Sequence, residues 1–190
     1  MTISKLALKV EFKLYTICCK INAFRYRLHP RIHLGKNVLI ERGATLSCLN
    51  GGKIIICDGS VICKGAQLLT HGGDILIGSN SSINPYTIVY GQGGTRIGND
   101  VRIAAHCVIV PSNHVFIDRN TLIRNQGLSK KGIIIEDDCW LGAGVKVLDG
   151  VVVRKGSVIG ANSVVTHETT EFGVYVCCTR KSRHGGVEKD

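Results

Sequence analysis

The 190-residue sequence has few of the residues that build aromatic cores: one Trp, four Phe and five Tyr, with only three Pro. It also lacks any apolar run approaching the ~20 residues that a transmembrane helix needs. Hydrophobic residues still make up 44% of the chain and charged residues 20%, a balance typical of a single globular domain. The 23 glycines favour many short strands joined by tight corners over helices packed on aromatic side chains.

Acidic residues are the minority, 14 against 24 Lys and Arg, which gives a net charge of +10. The excess is concentrated in residues 1–31, with seven basic residues and one Glu, and in residues 119–131, with four basic residues and no acid. Such a balance favours anionic partners: a phosphorylated cofactor, an anionic glycan or a membrane surface. No nucleic-acid-binding motif or aromatic platform accompanies the charge, so we expect no nucleic-acid partner.

The pattern of the nine cysteines does not indicate a disulfide framework. Their number is odd, and Lys5, Lys9 and Lys13 interrupt the N-terminal apolar residues where a secretory signal would be continuous. We therefore expect reduced thiols and a cytoplasmic protein.

Large aliphatic residues recur every six positions, in six triplets. A small or β-branched residue stands two positions before most of them, and glycine often follows. The triplets fall at positions 34, 40, 46; 56, 62, 68; 77, 83, 89; 97, 103, 109; 135, 141, 147; and 153, 159, 165.

A period of six predicts one short strand plus one corner, so that three strands close a triangular coil of eighteen residues. Six such coils would stack by backbone hydrogen bonds. All the extra residues fall after the third strand of a coil, and the longest insertion, residues 110–132, would project from one edge as a loop. The sequence thus predicts an all-β parallel β-helix with one extruded loop, and long loops of this kind are usually functional.

The run from Ile103 to Ile109, the loop that opens with Ser112-Asn113-His114, and the following "IEDDCWLGAGVKVLDGV" carry a family resemblance. Over roughly residues 31–180 the sequence resembles the hexapeptide-repeat acyltransferases, and within them the sugar and polysaccharide O-acetyltransferase branch. That branch usually shows "IGDDVWIG" and "LPGV" where this chain has "IEDDCWLG" and "LDGV". The resemblance implies a left-handed β-helix, a homotrimer with active sites between subunits, acetyl-CoA as co-substrate, and no metal.

For the reaction itself, the resemblance implies that His114 is the general base, a role that suits a side chain titrating near neutrality. It implies that Asn84, Asp118 and Gln126 bind the acceptor sugar, with Asp118 either orienting the imidazole or touching the sugar. Each has a plainer reading: His114 as a surface histidine, Asn84 as a corner residue before Pro85, and Asp118 as a solvated loop residue.

For the cofactor, the resemblance implies a groove between subunits, with pantetheine along the last coils and phosphates near basic C-terminal side chains. Two departures are His167 in place of the usual lysine and Tyr175 in place of a common proline. The implied cofactor residues are Trp140, Gly142, Ala143, Ala161, Thr166, Arg180 and Lys181, with Arg183 as a further phosphate candidate.

The chain divides into an N-terminal helical arm, 1–30, the hexapeptide β-helix, 31–170, and a basic C-terminal tail, 171–190. In the arm, apolar residues recur every three or four positions, which predicts an amphipathic helix with lysines along much of the remainder. Such a helix covers the open first coil, packs in the trimer, or rests through residues 1–25 on a membrane surface, at the inner face of the membrane. The apolar stripe comprises Ile3, Leu6, Val10, Leu14, Ile17, Ile21 and Phe24, while Leu8, Phe12 and Tyr15 lie off it.

The sequence therefore predicts transfer of acetyl from acetyl-CoA to a sugar hydroxyl, in a cell-surface polysaccharide or its precursor. Acetylation of an amino sugar is one alternative, and a scaffold that binds a partner through its loop is another. A metal enzyme would need three converging histidines, for which His71, His106 and His114 are the candidates, but His106 and His114 are eight residues apart where such relatives have five. A serine acetyltransferase would need a large helical domain before the β-helix, which thirty residues do not supply.

Overall fold

A computed structural model of the protein describes the backbone of residues 3–176 and 180–181 and the side chains of residues 7–176. One helix, α1 (Ile3–Arg27), precedes six coils of three short strands each. Coils 1 to 3 comprise β1 (Ile32–Leu34), β2 (Leu39–Ile40), β3 (Thr45–Ser47), β4 (Ile54–Ile56), β5 (Val61–Ile62), β6 (Gln67–Leu69), β7 (Ile75–Ile77), β8 (Ser82–Ile83) and β9 (Ile88–Tyr90).

The insertion separates coil 4 from coils 5 and 6, and it is itself a hairpin with a short 3-10 turn. Coil 4 comprises β10 (Thr95–Ile97), β11 (Arg102–Ile103) and β12 (Val108–Ile109), and the hairpin comprises β13 (Asn113–His114), η1 (Ile123–Asn125) and β14 (Leu128–Ser129). Coils 5 and 6 comprise β15 (Ile133–Ile135), β16 (Trp140–Leu141), β17 (Lys146–Val147), β18 (Val152–Val153), β19 (Val158–Ile159) and β20 (Val164–Val165).

The coils stack into three parallel sheets that form the faces of a prism. Sheet 1 runs β1-β4-β7-β10-β15-β18, sheet 2 begins β2-β5-β8-β11-β16-β19, and sheet 3 contains β3-β6-β9-β12-β17-β20. Each hexad lies in register with the next: Ile97 pairs with Ile77 on one side and Ile135 on the other. The predicted left-handed parallel β-helix of about six coils is confirmed.

The core is the one that the six-residue period predicts. Seventeen of the eighteen triplet aliphatics are buried, and the remaining one, Leu34 in coil 1, packs against the core while partly exposed. The small residues two positions earlier are buried as well, including Cys107 and Cys139. Burying large residues beside small ones at this regular spacing gives each coil the same cross-section, which lets the coils stack.

Two further segments extend the prism at its C-terminal end. The strand β21 (Val174–Val176) pairs in parallel with β19, and β22 (Arg180–Lys181) pairs antiparallel with β21, so sheet 2 continues past coil 6. Residues of the predicted basic tail therefore add two strands to the end of sheet 2.

The helix α1 covers the open end of coil 1. Cys19, Ala23 and Tyr26 are buried against it, and the Tyr26 hydroxyl donates a 2.9 Å hydrogen bond to the carbonyl of Ala44. The face that packs is not the apolar stripe seen in the sequence, whose described members are exposed. Within the described part of the chain, no helix is long and apolar enough to span a bilayer.

Candidate active site

His114 lies in β13, near the start of the hairpin and opposite Leu128 of β14. Beyond it, the Val115 amide donates a 3.1 Å hydrogen bond to the Gly127 carbonyl, which continues the pairing. Its side chain is exposed and forms no hydrogen bond with the described residues. The backbone of His114 is thus fixed by a two-stranded ladder while its imidazole stays available to a ligand.

The returning strand of the hairpin is tied to the corner between coils 5 and 6 by one carboxylate, that of Asp149. Its Oδ2 accepts a 2.7 Å hydrogen bond from the Ser129 hydroxyl. Its Oδ1 accepts from the amides of Lys131, at 2.8 Å, and Gly132, at 3.0 Å. Since Leu128 pairs with His114 and adjoins Ser129, Asp149 holds the strand that faces the histidine.

Sequence reasoning missed Asp149, although a signal was present. The related branch usually has proline in this position, in "LPGV", and a proline side chain accepts no hydrogen bonds. The exchange of proline for aspartate at a corner beside the loop was the signal. Gln92 was missed too: its Oε1 accepts a 3.2 Å hydrogen bond from the buried Ser112 hydroxyl at the start of the loop.

Asp118 and Gln126 meet at the tip of the hairpin. The Gln126 side chain donates to the carbonyls of Asp118 and Thr121, both at 2.8 Å, and accepts from the Asp118 amide at 3.0 Å. The Asp118 carboxylate accepts from the Thr121 hydroxyl at 2.6 Å and the Asn120 amide at 2.8 Å, and these bonds hold its pKa below the usual range. Both residues shape the loop tip, and Asp118 makes no hydrogen bond to His114 among the described residues.

Asn84, Gly142, Ala143 and Ala161 lie on another edge of the prism, where sheet 2 turns into sheet 3; we call it edge 2/3. Backbone hydrogen bonds connect successive turns of this edge: the His106 amide donates to the Pro85 carbonyl at 3.0 Å, and the Asn162 amide donates to the Ala143 carbonyl at 2.8 Å. Four residues assigned separately from sequence therefore lie along one column of the structure.

The environments within this column differ. Asn84 is half-buried, and its amide donates a 2.8 Å hydrogen bond to the Ile103 carbonyl while its oxygen lies 3.7 Å from the Cys63 thiol. Ala143 and Ala161 are exposed, whereas Gly142 is buried. A Cβ on Gly142 would lie 2.7 Å from the Ala161 nitrogen, so the two coils approach this closely only because the residue is glycine.

The other predicted cofactor residues lie near the same end of the prism. Trp140 is 55% exposed and stands in sheet 2 between Arg102 and Val158. Thr166 is exposed just after β20, with its hydroxyl 2.8 Å from Nδ1 of His167. The backbone of Arg180 and Lys181 forms β22, but their side chains and all of Arg183 lie outside the described residues.

The hairpin and edge 2/3 are separated by a face of the prism. The hairpin projects from the β-helix after β12, at the edge where sheet 3 turns into sheet 1; we call this edge 3/1. One face is about six residues wide, roughly 20 Å of extended chain. Among the described residues, the side-chain hydrogen bonds between the hairpin segment and the β-helix are made with Gln92 and Asp149, on the hairpin's own edge. Within one protomer, therefore, the structure does not bring His114 together with Asn84 or with the predicted cofactor residues.

The histidines considered for a metal are also dispersed. His71 contacts Tyr90, and His106 stacks on Tyr86 with ring centroids 5.3 Å apart in each case. No group of three or more metal-ligating side chains occurs among the described residues.

Comparisons with known proteins agree with this architecture. Residues 132–167 match the family model "Bacterial transferase hexapeptide (six repeats)". Rv3034c of Mycobacterium tuberculosis, assigned as an acetyltransferase, is 30% identical over 76% of this chain and 47% of its own length, so the chain spans about half of that relative. WbbJ of Escherichia coli K12, assigned to O-acetyl transfer in lipopolysaccharide biosynthesis, is 29% identical over 75% of this chain and 82% of its own.

Among solved structures, the chain is similar to AntD, an N-acyltransferase from Bacillus cereus, in a mutant form complexed with dTDP and coenzyme A. The TM-score is 0.68, with 25% identity over 80% of this chain and 83% of AntD. The stacked hexads, the long insertion after coil 4 and these similarities lead to one assignment: the chain has the left-handed β-helix fold of the hexapeptide-repeat acyltransferases, and residues 132–167 carry the hexapeptide-transferase signature.

Proposed function

We propose that the protein transfers an acetyl group from acetyl-CoA to a hydroxyl of a sugar, in a cell-surface polysaccharide or its precursor. The observation that carries the proposal is the placement of His114, whose backbone is fixed by the hairpin while its imidazole is exposed and unpaired among the described residues. The O-acetyl transfer assigned to WbbJ supports the sugar acceptor, and the coenzyme A bound to AntD supports the acyl donor.

The chemistry requires a base because a sugar hydroxyl is a poor nucleophile until its proton leaves. A neutral His114 imidazole would take that proton as the sugar oxygen attacks the thioester carbonyl, a contribution of ~10²–10⁴-fold in related chemistry. The C–S bond then breaks, the acetyl group stays on the sugar oxygen, and the coenzyme A thiolate leaves and is protonated by the imidazolium. Asp118 and Gln126 would contribute by holding the loop tip that borders the acceptor.

The separation of His114 from edge 2/3 supports a site shared between copies of the chain. In a homotrimer, edge 3/1 of one subunit would face edge 2/3 of the next, so that the hairpin of the first reaches the column of the second. Asn84 would then lie near the acceptor, while Gly142, Ala143, Ala161 and Trp140 would border the pantetheine. Thr166, Arg180 and Lys181, at the C-terminal end, would lie nearest the phosphates.

The second candidate is acyl transfer to an amino sugar, which the similarity to the N-acyltransferase AntD favours. Both reactions would use the same base and the same acyl donor, so they differ only in the acceptor atom, which is a hydroxyl oxygen in one and an amine nitrogen in the other. Both reactions place the protein in the cytoplasm, where acetyl-CoA is available, and at the inner face of the membrane if the glycan is carried on lipid.

Calorimetric titration with acetyl-CoA, using free acetate as the control ligand, tests the proposal without knowledge of the acceptor. Saturable micromolar binding is expected, and a sugar screen read by mass spectrometry would then separate O-acetylated from N-acetylated products. No binding at millimolar acetyl-CoA would contradict both transfer reactions and would favour a scaffold that binds a partner through its loop.

A further inference from the structure

The helix α1 has two apolar faces on opposite sides. At 100° per residue, Cys19, Ala23 and Tyr26, which pack on coil 1, are centred about 180° from the stripe that includes Val10 and Ile21. The Asn22 side chain strengthens the packed face by donating to the carbonyls of Ile40, at 3.2 Å, and Glu41, at 2.9 Å. Capping the β-helix therefore uses one face of the helix and leaves the stripe uncovered.

The described part of the stripe is long and exposed. Its residues are between 45% and 68% exposed, and from the first to the last it extends about 21 Å along the helix. A continuous apolar ridge of this kind on a protein surface marks an interaction site. Its members are Val10, Leu14, Ile17, Ile21 and Phe24.

The charges beside the stripe distinguish between partners. Lys9, Lys13 and Lys20 follow one side of it, Arg25 lies on the other, and all four are exposed. The acid of the described helix, Glu11, lies about 100° from the centre of the stripe. An antiparallel second copy docked through this face would bring lysines against lysines, whereas an anionic lipid headgroup layer complements the basic side chains on both sides of the stripe.

We propose that α1 docks the protein on an anionic lipid bilayer, lying flat with this stripe in the headgroup region and its lysines against the lipid phosphates. A basic helix with a separate apolar face binds membrane surfaces in this way, through buried apolar area plus attraction to anionic lipid. The hairpin leaves coil 4, three coil spacings from the capped end, or about 15 Å at ~4.8 Å per coil. On the proposed function, that distance holds His114 above a bilayer at the level of a lipid-linked glycan.

Vesicle co-sedimentation tests the docking in the absence of cofactor and acceptor. The parent protein, the Ile21→Glu variant and its control Leu49→Glu are each mixed with two kinds of vesicle. One kind contains phosphatidylcholine alone, and the other also contains phosphatidylglycerol. The two sites are 68% and 65% exposed, and the control lies just after β3 of the β-helix rather than on α1. We expect the parent and control to bind anionic vesicles and Ile21→Glu to bind at least about tenfold more weakly.

A second set of variants separates the charge contribution from the apolar one. Replacing Lys9, Lys13 and Lys20 by Gln should weaken binding to anionic vesicles by about fivefold per lysine while leaving the apolar stripe intact. Raising the salt concentration should also weaken the binding of the parent protein to anionic vesicles.

Three outcomes would overturn the docking. One is a parent protein that fails to bind anionic vesicles, and another is an Ile21→Glu variant that binds as well as the control. The third is a parent protein that does not bind vesicles, combined with a lower mass in solution for Ile21→Glu alone, as measured by light scattering. That result would show that the stripe binds a second copy of the chain. Acetyl-CoA titration of the same samples without lipid reports on the proposed activity separately.

Discussion

The carboxylate of Asp149 accepts a 2.7 Å hydrogen bond from the hydroxyl of Ser129, so the corner between coils 5 and 6 holds the returning strand of the hairpin that carries His114. With the amides of Lys131 and Gly132, three donors from the base of the loop converge on this one side chain. A residue that fixes the loop without touching a substrate is a positioning residue, and its removal should affect catalysis more than binding.

Replacing Asp149 by Ala should lower kcat by about tenfold or more while leaving the KM for acetyl-CoA nearly unchanged, because a misplaced base slows the reaction and the cofactor column lies on another edge. Each lost hydrogen bond also costs about 1 kcal/mol in the free energy of unfolding. Steady-state kinetics measures the first effect and urea unfolding the second.

The matched control is Asp74→Ala, since the Asp74 carboxylate accepts a 2.8 Å hydrogen bond from the Lys53 amide on the same edge and makes none to the hairpin among the described residues. The control should lose stability and keep kcat. Equal kcat values for the two variants would remove Asp149 from any positioning role.

Two buried serines should respond to alanine in opposite ways. Ser163 Oγ is buried without a hydrogen-bond partner among the described residues, whereas Ser157 Oγ bonds Thr169 Oγ1 at 2.9 Å and the Thr170 carbonyl at 3.1 Å. Ser163→Ala should raise the free energy of unfolding by about 1 kcal/mol and Ser157→Ala should lower it by about the same amount. Thermal unfolding of the pair checks this, and a Ser163→Ala protein as unstable as Ser157→Ala would show that Ser163 has a partner.

The thiol of Cys63 should react slowly at neutral pH. Burial, and next the negative charge of Glu41, raise its pKa to about 11, and the thiolate is the form that alkylates. At pH 8 we expect iodoacetamide to label the exposed Cys18 roughly a hundredfold faster than Cys63, as read by peptide mass spectrometry. Equal labelling rates in the folded protein would contradict this placement.

The same shift fixes the sign of a pH effect on stability. The pKa of the Cys63 thiol is higher in the folded protein than in the unfolded chain, where it is about 8.5. Its contribution to the free energy of unfolding is therefore fully present below pH 8.5. It is lost as the pH rises through about 11, where the Cys63 thiol ionises in the folded protein. Cys63→Ala should therefore unfold with a weaker pH dependence than the parent across that alkaline range.

The proposed site between copies makes a prediction about mixed oligomers. His114→Ala and Ala161→Trp should each abolish transfer, the first by removing the base and the second by filling the groove at an exposed position of edge 2/3. Unfolding and refolding an equal mixture should restore about a quarter of parental activity, because that fraction of interfaces joins an intact hairpin to an intact column. A mixture as inactive as its components would place the site within a single subunit.

The six-residue period was enough to predict the coils, because the burial of the core side chains fixes the register of each strand. A shift of one residue would turn Ile103 outward and an exposed neighbour inward. The loop position followed from the one break in that period. The face by which α1 packs did not follow, because the helix is apolar on two sides and only contacts such as Tyr26 with Ala44 decide which one is covered. Likewise, Asp118 and Gln126 could be assigned to the loop, but their mutual bonding at its tip depends on a turn that the sequence does not specify.

The most direct test of the account compares His114→Ala with His33→Ala, which removes another exposed histidine, from β1. The measurement is the rate of acetyl transfer to the acceptor found in the sugar screen, with acetyl-CoA affinity measured on the same samples. The account predicts that His114→Ala keeps parental affinity for acetyl-CoA and loses at least ~10²-fold in rate, while His33→Ala keeps both. A His114→Ala protein that transfers acetyl at the parental rate would contradict it.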